Sequence, residues 1–291
     1  MKMQPRVRRK LWILAAIAVA VMSGEVVNRA PAVAASALLH PWRRPLLRPT
    51  PDNCEEDRFS GAGVILHGWR CSSGHSPRGT VIYLHGVADN RGSGSTVIRR
   101  YVQRGFDVIA FDGRAHGKSE GSTCTYGYFE KQDLVELIDS IERGPIILIG
   151  NSLGAAVAIQ AAPLSSRIAG VVAVETFSDL RTIATERAAR FLAADMIAVA
   201  FRLAEQSGRF EVDAVSPERA AAAIRVPVLL IHGTADRGTP PTHSQRVMAA
   251  LAGPKRLILV DGAGHNESLR HEDVWAQIDT WIEQTITIAP S

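Results

Sequence analysis

The run Gly150-Asn151-Ser152-Leu153-Gly154 lies between the apolar stretch Pro145-Ile146-Ile147-Leu148-Ile149 and the small-residue stretch from Ala155 to Ala162. The first stretch reads as a buried strand and the second as a closely packed helix, so the residues between them must turn the chain sharply. G-x-S-x-G in that setting holds a serine on a strained strand-to-helix turn, its hydroxyl clear of the backbone at a helix N-terminus. Side chains two positions to either side would collide with the neighbouring strand and helix, which accounts for the glycines. Ser152 is therefore a candidate nucleophile. Taken alone, the pentapeptide is also compatible with a glycine-bounded turn and a capping serine.

From Thr80 onward, apolar runs alternate with helical patterns. The expected strands are Val81 to Leu84, Asp107 to Phe111, Ile146 to Ile149, Val171 to Val174, Val228 to Ile231 and Leu257 to Val260. The expected helices are Thr96 to Arg104, Phe129 to Arg143, Leu153 to Ala162, Thr182 to Glu205, Thr242 to Leu251 and Glu272 to Gln284. Strands that are apolar nearly throughout are covered on both faces, so the pattern predicts an α/β fold, a mostly parallel sheet with helices on both sides. A chain of 291 residues, 46% of them hydrophobic, suffices for one large domain, expected over residues 54 to 291.

Ligands of such sheets bind beyond the carboxyl ends of the strands. Four strands are followed at once by distinctive residues: His85-Gly86-Val87-Ala88-Asp89-Asn90, Gly150 to Gly154, His232-Gly233-Thr234-Ala235-Asp236, and Asp261-Gly262-Ala263-Gly264-His265-Asn266. A serine hydroxyl needs a base to take its proton and a carboxylate to fix the imidazole tautomer, and Ser152, Asp236 and His265 supply them in that chain order. In order and spacing the chain resembles the α/β-hydrolase fold family over residues 58 to 285, most closely the serine hydrolases of its Bem46-like and serine-aminopeptidase-like branch. The resemblance implies an oxyanion loop at His85-Gly86-Val87, with the backbone N–H groups of Val87 and Leu153 facing the developing oxyanion. It also implies a structural turn at Asp112 to Ser119, where Ala115 replaces the family's usual glycine. The acid loop keeps Asp236 and Pro240 but has Thr239 where an aliphatic residue is common.

Glu175, at the end of the strand before Asp236, is the rival acid, while His85 and His232 are expected to hold loops together. Metal catalysis is disfavoured, since no H-E-x-x-H or paired C-x-x-C occurs and His265, Glu267 and His271 have no matching further ligand. No G-x-G-x-x-G follows a strand, so no dinucleotide or other cofactor is expected. The expected activity is cofactor-free hydrolysis of a small-molecule ester, thioester or amide through an acyl-enzyme, with carboxylic esters first. A peptidase of the same fold, and a binding protein that merely keeps the fold, are the alternatives.

The charge balance does not point to nucleic acid. Of 33 Lys/Arg and 29 Asp/Glu, nine and one fall in residues 1 to 50, so the remainder carries 24 and 28, a net of −4. The basic start, Lys2 to Lys10, precedes an apolar run of twelve residues, Leu11 to Met22, and then Ala32-Val33-Ala34 and Ala35-Ser36-Ala37. This is the pattern of an export signal, expected over residues 1 to 37. The apolar run is short against the ~20 residues of a spanning helix. The long stretch from Ser23 to Ala30 leaves an uncleaved membrane anchor as the alternative. Either way the domain is expected to be exported, secreted or held at a membrane by this segment. Pro41, Pro45, Pro49 and Pro51 predict an extended linker over residues 38 to 53. Cys54 and Cys71 lie symmetrically about Ala62 and Gly63, so a hairpin there would face them across its strands; two unrelated buried thiols are the other reading, and Cys124 is left over.

The segment from Glu175 to Arg225 is longer than a crossover helix requires. Within Ala188 to Ala204, Phe191, Leu192, Met196, Ile197, Val199, Phe201 and Leu203 exceed one helical stripe. Either this is a crossover helix pressed on the sheet or a small lid over Ser152 that faces an acyl group.

Overall fold

The computed structural model describes residues 29–74, 76–142, 144–188 and 192–288. Residues 1–28, with the basic start and the apolar run of the expected export segment, lie outside them, as do Arg143 and Phe191. Eight strands form one sheet in the order β1-β2-β4-β3-β5-β6-β7-β8. They are β1 (Cys54–Gly61), β2 (Val64–Cys71), β3 (Thr80–Leu84), β4 (Asp107–Phe111), β5 (Ile146–Asn151), β6 (Ile168–Val174), β7 (Val228–Gly233) and β8 (Lys255–Val260). Only the β1/β2 and β2/β4 pairs are antiparallel. From β4 to β8 every pair is parallel.

Alternation along the strands divides the core. Ile82, Leu84, Leu148, Val171, Ala173 and Leu230 face one side, where they meet Leu137 of α3 (Glu130–Asp139), Ala158 of α4 (Leu153–Ala161) and Val247 of α8 (Thr242–Ala250). Val81, Tyr83, Ile149, Val172, Val174 and Ile231 face the other, against Tyr101 of α2 (Ser95–Val102) and Ile278 and Trp281 of α9 (Glu272–Ile288). Strands sandwiched in this way need apolar residues at every position, so the β5 sequence contains no alternation.

The β1–β2 hairpin pairs Gly61 with Val64 and Cys54 with Cys71. The turn is the two residues Ala62 and Gly63, the latter at φ +72°. Cys54 and Cys71 are disulfide-bonded, and Cys124 is free and buried.

Three regions differ from expectation. The helix expected from Thr182 to Glu205 is two helices, α5 (Leu180–Ala188) and α6 (Ala194–Gly208), with Ala193 extended between them at ψ 157°. A straight helix of that length would run about 36 Å. The folded-back pair instead lets Leu180 and Ile183 join Ile197, Phe201 and Ala204 in one apolar cluster. A short helix, α7 (Pro217–Ala221), was not expected; Ser216 caps it by accepting from the Arg219 N–H, and Pro217 stands at its first turn.

The third region is the expected linker. Residues 29–39 are helical (α1), with Ala35 and Leu39 buried in the α5/α6 cluster. Residues 40–53 then lie along the domain as a strap. Arg43 donates to the carbonyls of Ser119 and Gly121, and the Asn90 side chain donates to those of Arg44 and Pro45. The prolines keep this stretch extended, but its free polar groups and Leu46 find partners on the domain surface, so it does not behave as a spacer. Among the described residues, no helix is long and apolar enough to cross a membrane.

Candidate active site

The carboxyl ends of β3, β5, β6, β7 and β8 converge on Ser152. This residue takes φ 51° and ψ −111°, a conformation that costs an L-residue energy and is held by its surroundings. Its N–H donates to the Val174 carbonyl of the next strand, and its own carbonyl accepts from the Ala156 N–H inside α4. A Cβ at Gly150 would lie 2.4 Å from the Gly154 carbonyl oxygen, and one at Gly154 would lie 2.1 Å from that of Leu84. Both glycines are therefore dictated by packing.

The Ser152 hydroxyl is 3.0 Å from His265 Nε2, and His265 Nδ1 is 2.6 Å from Asp236 Oδ2. With Nδ1–H donating to the carboxylate, Nε2 is left as the acceptor for the serine O–H. Asp236 Oδ1 accepts from the N–H groups of Gly238 and Thr239. Burial alone would raise the Asp236 carboxyl, but the nearby His232 imidazole, 3.4 Å away, and hydrogen bonds with His265 and the Thr239 N–H outweigh that and hold it well below the usual carboxylate range. It is an anion at neutral pH and can stabilise a positive charge on the imidazole.

Glu175 also reaches the imidazole, but at 3.5 Å from Nδ1, beyond hydrogen-bond distance. Its carboxylate accepts from the N–H of Asn266 and from both the N–H and the hydroxyl of Ser268. Geometry thus gives the imidazole contact to Asp236 and leaves Glu175 fixing the loop that carries His265. Sequence reasoning placed Asn266 on the same rim without a role and did not single out Ser268, since nothing local distinguishes it from any polar loop residue. Glu175, Asp236 and His265 offer ligand atoms within 4.8 Å of one another. However, these atoms already bond to each other or to the loop, which fits a hydrogen-bonded relay better than a cation site.

Val87 and Leu153 flank Ser152 and line the same cavity. Leu153 begins α4, where the first N–H groups have no partner within the helix and the positive end of the dipole lies. His85 anchors the neighbouring loop: Nδ1 bonds the Gly86 carbonyl and Nε2 accepts from the Gly113 N–H. His232 does the same for the acid loop, bonding Ser244 and the Thr239 carbonyl. In the turn after β4, Asp112 is buried against Arg91 and accepts from the Lys118 N–H, and Ala115 takes the left-handed φ of 61° where glycine would be unstrained.

An apolar cavity of about 370 Å³ opens over Ser152. Leu180 and Ile183 of α5, Leu192 between the two helices, and Ile197 and Phe201 of α6 line it, so this insertion roofs the serine. Ala34, Ala35, Ala37 and Leu38 of α1 form another wall. Sequence reasoning assigned those alanines to a processing site, since small residues in a row serve equally as a helix face that packs closely.

Comparison with known proteins agrees with this geometry. The family model described as "Alpha/beta hydrolase family" matches residues 64–278. The uncharacterized protein YfhR of Escherichia coli K12 is 29% identical over 244 residues, covering 79% of this chain and 80% of its own. Among solved structures, the Pyrococcus furiosus esterase Pf2001 superposes with a TM-score of 0.69 at 24% identity, covering 85% of this chain and 99% of its own. The acylaminoacyl peptidase of Pyrococcus horikoshii gives 0.64 at 16% identity, covering 80% of this chain but 41% of the peptidase. The likeness to these structures is one of fold.

Proposed function

Because the chain belongs to the alpha/beta hydrolase family, we propose that it is a serine hydrolase that cleaves carboxylic esters through an acyl-enzyme. The observation that carries the reading is the continuous relay of 3.0 Å and 2.6 Å from the Ser152 hydroxyl through His265 to the Asp236 carboxylate. Ser152 Oγ attacks the acyl carbon as its proton passes to His265 Nε2. The resulting imidazolium is stabilised by Asp236, and the oxyanion faces the N–H groups of Val87 and Leu153. Each such donor supports the transition state by ~3 kcal/mol in comparable sites. His265 then gives its proton to the leaving oxygen, the C–O bond breaks, and a water activated by the same imidazole releases the carboxylic acid. Thioesters follow the same course. The apolar cavity beside Ser152 favours an acyl chain over a peptide. Membership of the Bem46-like branch and export of the domain, held at a membrane by its N-terminal segment, belong to the same proposal.

Ser152→Ala is expected to abolish both fluorophosphonate labelling and turnover of p-nitrophenyl butyrate while leaving the thermal unfolding profile in place. Full labelling of that variant ends the assignment, and a wild-type chain that neither labels nor turns over any ester or aminoacyl amide is a binding protein on a hydrolase fold.

A further inference from the structure

Two cavities meet at Ser152. The apolar one is described above; a second, of about 700 Å³, lies on the other side and shares only Val87, Ser152 and Arg187 with it. Their linings differ in kind. The second contains Arg44, Arg48, Arg187 and Arg270, and Asp89 is its single carboxylate. His265 lines this cavity and not the apolar one.

The placement of His265 assigns the two halves of a substrate. Under the serine-hydrolase reading, on which this inference rests, the leaving atom must lie near His265 Nε2 to receive its proton. The leaving group therefore occupies the arginine-lined cavity and the acyl chain the apolar one. Arg44 and Arg48 come from the strap, whose backbone is fixed there by the Asn90 amide and by Leu46, which would touch a Cβ at Gly92 at 3.0 Å. Arg44 pairs with Asp89 at 3.4 Å and Arg270 with Glu267 at 3.2 Å, while Arg48 is in no ion pair among the described residues. Arg187 is held by the Gly238 carbonyl and the Thr239 hydroxyl, neutral partners that leave its charge uncompensated. With Arg44 and Arg270 each paired to a carboxylate, Arg48 and Arg187 remain as two guanidinium groups without one, and they make the cavity suited to an anion rich in acceptor oxygens.

We propose that the substrate is an acyl ester or thioester whose leaving group carries phosphate. Ser152 Oγ forms the bond to the acyl carbon, the C–O or C–S bond breaks, and its electron pair leaves on the oxygen or sulfur, which takes the proton from His265. Water then converts the acyl-enzyme to a carboxylic acid and restores Ser152. The phosphate is not touched; it holds the leaving group in place.

The test compares kcat/KM for three substrates of one acyl length: octanoylglycerol, octanoylglycerol phosphate and octanoyl-coenzyme A, with p-nitrophenyl butyrate alongside. At least one phosphate-bearing substrate is expected to exceed octanoylglycerol by roughly tenfold or more, a ratio that falls with added salt. Whichever of the two is preferred identifies the ester or the thioester as the source. The Arg44→Gln/Arg48→Gln variant is expected to bring the ratio towards one. Equal rates for all three head groups, with p-nitrophenyl butyrate still hydrolysed, overturn the inference and leave the hydrolase reading standing. A preference untouched both in the double variant and in Arg187→Gln overturns it as well, because the unpaired arginines of this cavity then supply none of it. Failure of every ester together with absent fluorophosphonate labelling overturns the underlying reading instead.

Discussion

Two carboxylates stand around one imidazole, and they are separable by what each accepts. Asp236 accepts from His265 itself, so Asp236→Asn exchanges an acceptor for an amide and removes the charge that stabilises the imidazolium. Turnover is expected to fall by about four orders of magnitude with little change in KM. Glu175→Gln leaves that contact in place but loosens the bonds to Asn266 and Ser268, so a loss of only about ten- to a hundredfold, with a lower Tm, is expected. Steady-state kinetics on both variants decides: near-normal turnover in Asp236→Asn with collapse in Glu175→Gln transfers the acid role. A second titratable group acts on stability alone. Burial, and then the neighbouring His85, push His116 down to about 4, and its Nε2 has no partner among the described residues. Between that value and its ordinary 6.5 the unfolded chain takes up a proton that the native chain refuses, so the stability given by neutral His116 is complete above about 6.5 and is lost as pH falls towards 4. The full difference is roughly 3 kcal/mol. Asp133, pushed up to about 6 chiefly by burial, acts in the opposite sense in part of the same range, so the informative quantity is the difference between proteins. Urea unfolding of His116→Gln is expected to show a flatter acid limb than wild type; parallel limbs would count against the assignment. That Ser152, Asp236 and His265 would lie together on one rim was legible from sequence because each follows a strand that buried-run patterning locates. The loop bonds of Glu175 were not, since they depend on where two loops meet.

Strands were read well because a doubly covered sheet admits little but apolar residues; the observed β4 matches its expected bounds, and the other central strands gain one to three residues. The α5/α6 break was not legible. The residues from Ala188 to Asp195 are ordinary helix formers, and the interruption comes from the cluster that both helices must share. The start of α7, in contrast, was signalled by Ser216-Pro217, a cap followed by a proline at the first turn. Because α5 and α6 roof the cavity, the proposed ester hydrolysis is expected to draw its acyl-length preference from them. A buried methylene is worth ~0.8 kcal/mol, so kcat/KM is expected to rise by about fourfold per carbon until the cavity is full. Ala184→Phe, on α5, should shorten the preferred chain by filling space, and Phe201→Ala, on α6, should lengthen it at some cost in Tm. A p-nitrophenyl ester series from acetate to laurate that gives one profile for wild type and both variants would reduce the insertion to scaffold.

At the scale of the whole chain, residues 29–53, read as the end of the leader and the linker, are part of the folded domain. Leu39 is buried, its carbonyl accepts from the Cys124 N–H, and the Leu38 carbonyl accepts from the Tyr126 hydroxyl, while Ala34, Ala35, Ala37 and Leu38 wall the apolar cavity. Cleavage after Ala34 or Ala37, where small residues invite it, would cut α1 and strip that wall. If the cavity is the acyl site of the proposed function, the chain is expected to keep residues 29–53 in its mature form, with the segment of Leu11 to Met22 retained ahead of them as the proposed anchor. The disulfide between Cys54 and Cys71 is of a kind that persists in oxidising compartments, which is where the proposed export would take the domain. The measurement is the intact mass and N-terminal sequence of the native protein, with fractionation of the cells that make it. Recovery with membranes at full mass is the expected result. A soluble mature protein beginning after Ala37 would sink the anchor, and if that shortened protein also kept the wild-type acyl-length profile, α1 would be removed from the site as well.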